Sequence, residues 1–538
     1  LTAASGGRAG RWRAGRALAS GPGAGGSPGA GGSPGAGGGG GRGGASSIDA
    51  FVAYYVTTPI YYVNGEPHLG HVYTTVAADV LARHMRQRGE EVFFLTGTDE
   101  HGEPVAQAAE REGVPPRELA ERNAERFKEV ARRVDATNDF FIRTSDPEHE
   151  AVVAEIAARL KDNGHVYEGV YEGLYCPRCA DFKTDSEVVD ANKCPIHLIE
   201  LEREQEQNWF FRMSAFQEPL ERLYTERPDW VGPRNRYNEA LSFIRGGLND
   251  LSLSRARLSW GVPVPWDPEQ VIYVWIDALL NYYSALTYAR PGEDLRDRFW
   301  PPTVHLIAKD ILKFHAIIWP AMLMAAEIEL PRKLFIHGYL LMDEHKMSKS
   351  LGNVLDPFEV MDVYGTDALR YYLLREVSFG QDGSISPEGF ETRYNTELAN
   401  EYGNLASRTF AMIGKYRDGV VPAADPAPEV AMQFDGLAAA VKERIDAVEV
   451  SAALDDVWER VRALNRFVTE REPWKLAKDE AAATELDCVL YTLAEGLRVV
   501  SILLTPWMPS TTARLLAALG QPDESLASAE LGAVGGGA

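Results

Sequence analysis

Cysteine is scarce in this chain, with four in 538 residues. So few in such a length exclude a disulfide scaffold. Cys176, Cys179 and Cys194 nevertheless fall close together, and clustering of that kind points to metal. Cys488 stands alone in an apolar helical stretch, where a buried and inert thiol is expected. Long apolar runs are missing as well. The most apolar late stretch, CVLYTLAEGLRVVSILLTPW, is interrupted by Glu495 and Arg498, which suits a helix packed in a bundle and excludes a lipid-facing span. Positive charge is in deficit, at a formal net charge of −23. That argues against a general nucleic-acid coat, which must be basic to neutralise phosphates, but leaves room for a local basic patch. Lysine is poorly represented beside alanine and arginine, a bias typical of GC-rich bacterial genes.

What is present is enough for three or four domains. Residues 1–49 form a Gly/Ala/Ser/Pro-rich extension with a repeated GSPGAGG; five arginines and no acid precede Asp49. It cannot bury a core and is expected to be disordered. An organelle transit peptide shares the arginine bias, but the glycine run lacks the helical period such a peptide needs. From Phe51, FVAYYVTTPIYYVNG reads as a buried strand, HLGHVYTTVAADVLARHMRQRG as a helix with a Gly stop, and EEVFFLTGTDEHG as a second strand and loop. Strand, helix, strand in that order implies a βαβ unit and a parallel sheet. Helices are expected at 104–112, 116–134 and 147–163. Residues 164–265 change to short strands, charged turns and the clustered cysteines, as an inserted domain would. Strand and helix alternation returns at QVIYVWIDALLNYYSALTY, TVHLIAKDILKFHAIIWPAMLMA and KLFIHGYLLMD, which completes the sheet; YVWID alternates like a buried strand. Beyond 395 the pattern is helical.

Three constellations carry chemistry. His68-Leu-Gly-His71 follows the first strand and opens the first helix. Ligands of open parallel sheets bind at the carboxyl ends of strands, where helix N-termini favour phosphate. A pair of surface histidines on a turn would look the same in isolation. The second is HKMSKSLGN, residues 345–353, with Lys346 and Lys349 three apart and no acid nearby. Lysines on long stems can follow the phosphates of a nucleotide into the transition state, and the glycine and hydroxyl residues let the loop move. The third is Cys176-Pro-Arg-Cys179, fourteen residues, then Cys194-Pro-Ile-His197. Two x₂-spaced ligand pairs across a short loop are the pattern of a closed, tetrahedral, structural zinc site, one per chain.

HLGH and KMSKS, in this order and each beside a strand, resemble the two signatures of class I aminoacyl-tRNA synthetases. About 275 residues separate His71 from Lys346, with a small zinc-bearing insert in place of a large editing domain. PIYYVNGEPHLGH, TGTDEHG, NWFFRMS, YVWIDAL, KDILKFH, KMSKSLGNV, NLASR and EPWKLAK narrow the resemblance to the methionyl-tRNA synthetases, from about Phe51 to the end of the helical region.

The resemblance implies a Rossmann-like α/β catalytic domain in two halves, 50–163 and 266–340. A zinc-bearing connective insertion occupies 164–265 and a KMSKS and stem-contact region 341–394. An all-α anticodon-binding bundle spans 395–531, followed by a flexible tail at 532–538. It implies that L-methionine, ATP with Mg²⁺, and tRNA(Met) are bound by a cytoplasmic monomer that makes methionyl-adenylate and transfers the amino acid to tRNA. His68, Gly70, His71, Lys346 and Lys349 would face the ATP phosphates, with Lys309 beside them. Asp99 would accept the methionine α-ammonium. Ile60, Tyr62, Trp275, Ala278, Leu279, Tyr282, Ile311 and His315 would form the methionine pocket; the family usually has proline where Leu279 stands, and many relatives have Cys where His197 stands. Asn404, Arg408 and Trp474 would read the anticodon. Two alternatives share part of the pattern: another class I synthetase or related adenylyl-transferring enzyme, and a non-catalytic zinc and RNA-binding descendant.

Overall fold

The computed structural model describes residues 53–178, 181–183, 188–190, 192–256, 258–342, 345–346 and 356–533. The extension 1–49, Cys179, Lys349 and most of the lysine loop lie outside the described residues.

Six strands form the central sheet: β1 (Tyr54–Tyr62), β2 (Val92–Asp99), β3 (Phe140–Arg143), β4 (Val231–Gly232), β5 (Val304–Ala308) and β6 (Leu334–His337). Their order is β3-β2-β1-β5-β6-β4, and every pairing is parallel. Side chains alternate between two separate cores. Tyr54, Val56, Val92, Phe94, Val304 and Leu306 enter one; Tyr55, Phe93, Leu95, Ile307 and Ile336 enter the other. Burial on both faces is what makes these strands near-continuously apolar. Pro59 cannot donate to the ladder, and the β1–β2 register shifts between Thr57 and Ile60, so the end of β1 bends toward the cleft described below.

Helix α1 (Leu69–Gln87) covers the first face, and its buried residues lie on almost every side. The C-terminal helices Asn404–Arg417, Val450–Arg471 and Ala483–Leu504 continue the same core through Leu405, Leu454, Trp458 and Leu497. The helix Pro147–Asp162 belongs to the other face. Expected helices at 104–112, 116–134 and 147–163 occur at Glu103–Glu112, Pro116–Arg133 and Pro147–Asp162. Cys488 is half-buried, not buried as expected. No described helix is long and apolar enough to cross a membrane.

A second expectation fails. The stretch around YVWID does not extend the central sheet. Asp267–Ile272 pairs antiparallel with Ser254–Arg255 and Pro263–Val264 in a three-stranded sheet of its own, and Val274–Leu279 is a helix. All six of those helical residues are buried, and an element buried all round gives no period to read. A second antiparallel sheet joins Val166–Cys176 to Asp181–Lys183 and Glu202–Phe211, with Leu251–Ser252 at its edge.

A fully buried ion pair joins α1 to the helix Thr366–Glu376. Asp79 on α1 meets Arg370 on the helix Thr366–Glu376 at 2.7 Å. Arg370 also donates to the carbonyls of Val134 (2.9 Å), Pro506 (2.6 Å) and Trp507 (3.1 Å). Burial pushes the Asp79 carboxyl up, but Arg370 and Arg83 outweigh it and hold the group below its usual range. The stability it contributes is therefore present above the unfolded carboxylate range and lost as pH falls through the folded value. Arg370→Met leaves Asp79 buried and short of a partner, so urea unfolding at pH 7 should show a loss of about 3–5 kcal/mol. A loss below about 1 kcal/mol, the worth of an exposed pair, would show that the pair does not tie these elements together.

Candidate active site

Strand order turns back between β1 and β5, and in such a sheet the carboxyl ends at that seam diverge to leave a crevice. A cavity of about 380 Å³ opens there. Of the residues singled out in the sequence, Ile60, Tyr62, His68, Gly70, His71, Asp99, Trp275, Ala278, Leu279, Tyr282, Ile311 and His315 all line it. Lys309, just past β5, does not; it donates to Asp382 (2.5 Å) and sits over the Tyr339 ring. Lys346 pairs by its backbone with Leu341 in a short antiparallel hairpin.

The HLGH turn is a reciprocal cap. His68 Nδ1 accepts from the Gly70 N–H (3.1 Å), and His71 Nδ1 accepts from the His68 N–H (3.0 Å). The two rings stack with centroids 3.8 Å apart. A nitrogen that accepts carries no proton, so each neutral ring keeps its hydrogen on Nε2. Burial, with His68 beside it, holds the His71 pKa well below its ordinary value. At neutral pH His71 is thus an oriented N–H donor and not a cation. A Cβ on residue 70 would come within 3.0–3.1 Å of the His68 ring, which is why glycine stands there.

At the other end of the cavity Asp99 terminates β2. The carboxylate is buried, its Oδ1 has no hydrogen-bond partner, and no Lys, Arg or His pairs with it among the described residues. Burial first, then Asp277 and Glu100, push its pKa well up; the nearby His101 N–H and Tyr62 hydroxyl pull the other way. A buried carboxylate in this state is stabilised by any cation that enters the cavity. Beside it, Trp275 stacks on Phe314 (3.7 Å, 9°) and meets Tyr62 edge-on. Tyr282 and His315 lie 2.7 Å apart. His315 Nδ1 donates to the Ile311 carbonyl (3.0 Å), so Nε2 accepts from the Tyr282 hydroxyl. Burial lowers the His315 pKa to about 4, which keeps this arrangement intact at neutral pH. Aromatic walls with few polar tips suit an apolar, polarisable side chain.

Cys176, Cys194 and His197 converge, with ligand atoms all within 4.8 Å of one another. His197 Nδ1 lies 3.8 Å from both sulfurs. Tetrahedral bonds of about 2.3 Å to sulfur and about 2.05 Å to nitrogen place such atoms about 3.6 Å apart, so the group fits a zinc ion. The metal group also faces the cleft, because Arg178, Ile196 and His197 line the cavity. In the helical region Arg408 packs over the ring of Trp474 at 5.8 Å, while Asn404 is exposed one turn earlier on the same helix. Trp474 is still 37% accessible.

Other lining residues were not singled out in the sequence, among them Asn281, Phe314, His337 and Gly338. Phe314 lies within KDILKFH, between Ile311 and His315. Gly338 had a physical signal only in three dimensions: a Cβ there would collide with the Gln381 carbonyl carbon at 2.3 Å.

The family model described as class I tRNA synthetases (M) matches residues 54–206 and 190–410. The methionine–tRNA ligase of Streptomyces coelicolor is 47% identical over 484 residues, covering 87% of this chain and 90% of the relative. That of Caldanaerobacter subterraneus subsp. tengcongensis is also 47% identical, over 471 residues, covering 87% and 74%. The Mycobacterium tuberculosis methionyl-tRNA synthetase in complex with methionyl-adenylate superposes with a TM-score of 0.87 at 41% identity, covering 90% of this chain and 98% of that one. Its apo form gives 0.81 at 38% identity, covering 92% and 97%. With the cleft, the histidine cap and the metal group built as described, the chain belongs to the methionyl-tRNA synthetase family.

Proposed function

We propose that this enzyme attaches L-methionine to tRNA(Met) through methionyl-adenylate. The observation that carries the reading is one cavity with two unlike ends. A buried carboxylate without a cation lies at one end, and a helix N-terminus capped by two N–H-donating imidazoles lies at the other. An amino acid activated by ATP needs both.

Asp99 accepts the α-ammonium, and Trp275, Tyr62, Ile60, Ala278, Leu279, Ile311 and the Tyr282–His315 pair enclose the thioether. The methionine carboxylate oxygen then attacks the ATP α-phosphorus. A C–O–P bond forms, the bond to the β-phosphate bridging oxygen breaks, and pyrophosphate leaves. Negative charge on the phosphates is met by the Nε2–H groups of His68 and His71 and by the amides at the start of α1. The resemblance assigns Lys346, Lys349 and Lys309 to the same phosphates, and Mg²⁺ would accompany ATP. In the second step a hydroxyl of the tRNA terminal adenosine attacks the acyl carbon and AMP departs. No side chain acts as a nucleophile; the catalysis is positioning and electrostatics.

Cys176, Cys194 and His197 would hold a structural zinc ion, with Cys179 supplying the fourth ligand that the sequence spacing calls for; a site closed by four protein ligands would take no part in the chemistry. Thiols kept for metal fit a reducing compartment, and we place the enzyme in the cytoplasm. Trp474, backed by Arg408 and near Asn404, offers an exposed aromatic face on which a single-stranded anticodon base can stack.

Methionine-dependent ATP–pyrophosphate exchange tests the reading directly. Asp99→Asn should raise the KM for methionine by roughly 30-fold or more, since losing one partner of a buried charge pair costs about 2–5 kcal/mol, with little change in the KM for ATP. Exchange supported by leucine or isoleucine in place of methionine would move the substrate. Cys194→Ser should lower zinc content and the melting temperature together; unchanged zinc in atomic absorption would refute the metal site. Trp474→Ala should leave exchange intact and reduce kcat/KM for tRNA by about 1–3 kcal/mol, the worth of one stacked base. An unaltered tRNA kcat/KM in a folded variant would remove the residue from recognition.

A further inference from the structure

Next to the cavity runs a buried chain of polar groups that the reaction above does not use. Asp277 is fully buried on the helix that carries Trp275, Ala278 and Leu279. Two histidines from separate elements hold it. His101 Nδ1 donates to Oδ2 at 2.7 Å, and His149 Nε2 donates to Oδ1 at 2.8 Å. His149 Nδ1 in turn lies 2.6 Å from Ser284 Oγ, which belongs to the next helix, Asn281–Tyr288.

His101 stands two residues beyond Asp99 on the same loop, and its backbone N–H favours the charged Asp99 carboxyl. Other contacts fix the loop between them. Glu100 N–H donates to Thr144 Oγ1 (2.9 Å), Trp260 Nε1–H donates to the Glu100 carbonyl (2.5 Å), and Gly102 N–H donates to the Trp260 carbonyl (3.2 Å). A Cβ on Gly102 would come within 3.0 Å of Val274, so the loop rests directly on the first turn of the pocket helix.

We propose that Asp277 and His101 form a positioning pair for the amino-acid substrate, fixing the Asp99 carboxylate at a set distance from the Trp275 wall. The inference rests on Asp99 as the ammonium acceptor. An α-amino acid has a bounded reach from its ammonium to the end of its extended side chain. Two anchors on separate elements can measure that reach only if they are locked to each other. Asp277 belongs to the wall and His101 to the Asp99 loop, and their hydrogen bond is the lock.

The pair also sets the local charge. Three carboxylates meet here: Asp99, Glu100 and Asp277. Glu100 is held by Arg143 through two bonds, at 2.7 and 2.8 Å, and by Ser145 and Thr98. Burial works against a charge on His101, but Asp277, Glu150 (3.7 Å from Nε2) and Glu100 outweigh it and raise its pKa. Burial likewise pushes Asp277 up, and His101 with His149 overcomes it, holding the carboxyl at about 2. Glu100 and Asp277 therefore have their cations within the protein. Asp99 is left for the cation that the substrate brings, and the His101 charge offsets the neighbour that most opposes Asp99 ionisation.

The test is ATP–pyrophosphate exchange by the full, zinc-loaded chain across pH, with methionine and ATP varied separately. His101→Asn keeps a donor near the Nδ1 position but no charge, so the Asp99 pKa rises. The acid limb of kcat/KM for methionine should then move up by about one pH unit and the KM for methionine rise about tenfold, while the KM for ATP stays within about twofold. His101→Asn combined with Asp277→Asn removes both charges, and the acid limb should return toward the wild-type position. A merely structural role predicts no such return. An unmoved acid limb and methionine KM in His101→Asn, or equal losses for methionine and ATP, would overturn the pair. Should His101→Asn fail to fold by circular dichroism, Asp277→Asn alone decides: a downward shift of the acid limb supports the inference and an unmoved one refutes it. Asp99→Asn run in parallel separates the two claims. Wild-type methionine KM in that variant defeats the ammonium assignment itself; lost methionine use there, with His101→Asn unaffected, defeats the positioning pair alone.

Discussion

A parallel sheet whose strand order turns back at β1 and β5 must leave a gap at that seam, because the connections leave in opposite directions. The chemistry-bearing groups of this chain collect along it. HLGH follows β1, Asp99 ends β2, Lys309 and Ile311 follow β5, and Gly338 follows β6. None of these could be moved to the amino ends of the strands without losing the helix N-terminus that faces the gap. The sheet is in turn held from both faces by cores that share no residue. Both faces of the seam are therefore packed, and the metal group lies against the cavity between them.

Charge is distributed within the gap with some economy. The end that meets phosphate presents two imidazoles oriented by backbone N–H groups, of which His71 is held neutral by burial. Among the described residues, permanent positive charge reaches the cavity from Arg178. The end that meets the amino acid presents a carboxylate, and the two carboxylates beside it are already compensated. Among the described residues, Asp99 is the buried anion of the cleft that no cation pairs with. That asymmetry favours a ligand with one ammonium at one end and anionic phosphates at the other, and it disfavours a nucleotide turned end for end.

Much of this was legible in the sequence wherever the physics is local. The cap at His68 and His71 and the metal group at Cys176, Cys194 and His197 depend on residues three or a few tens apart, so spacing reports them. The helix at Val274–Leu279 was misread as strand because every residue in it is buried, and alternation and helical period become indistinguishable there. Arg370, which ties α1 to the C-terminal helices, looks like any arginine on an amphipathic helix until Asp79 is found beside it. The His101–Asp277 bond spans 176 residues. Nothing in TGTDEHG or YVWIDAL by itself says that their acidic and basic members meet. The sequence shows which residue types are available for chemistry, but burial decides which of them keep a partner.

Burial also explains why Asp99 and Asp277, both aspartates and both buried beside the same cleft, have opposite fates. Two histidines, His101 and His149, converge on Asp277, and its carboxyl is driven to about 2. Asp99 meets a phenol and a backbone N–H, which stabilise its charge too weakly to offset burial. When titratable groups share a site and their environments push their pKa values apart, the roles divide the same way. The compensated group is part of the framework, and the uncompensated one is where a ligand gains most by binding. On that argument Asp99 is the point of recognition and Asp277 the point of support, although the two side chains are chemically identical.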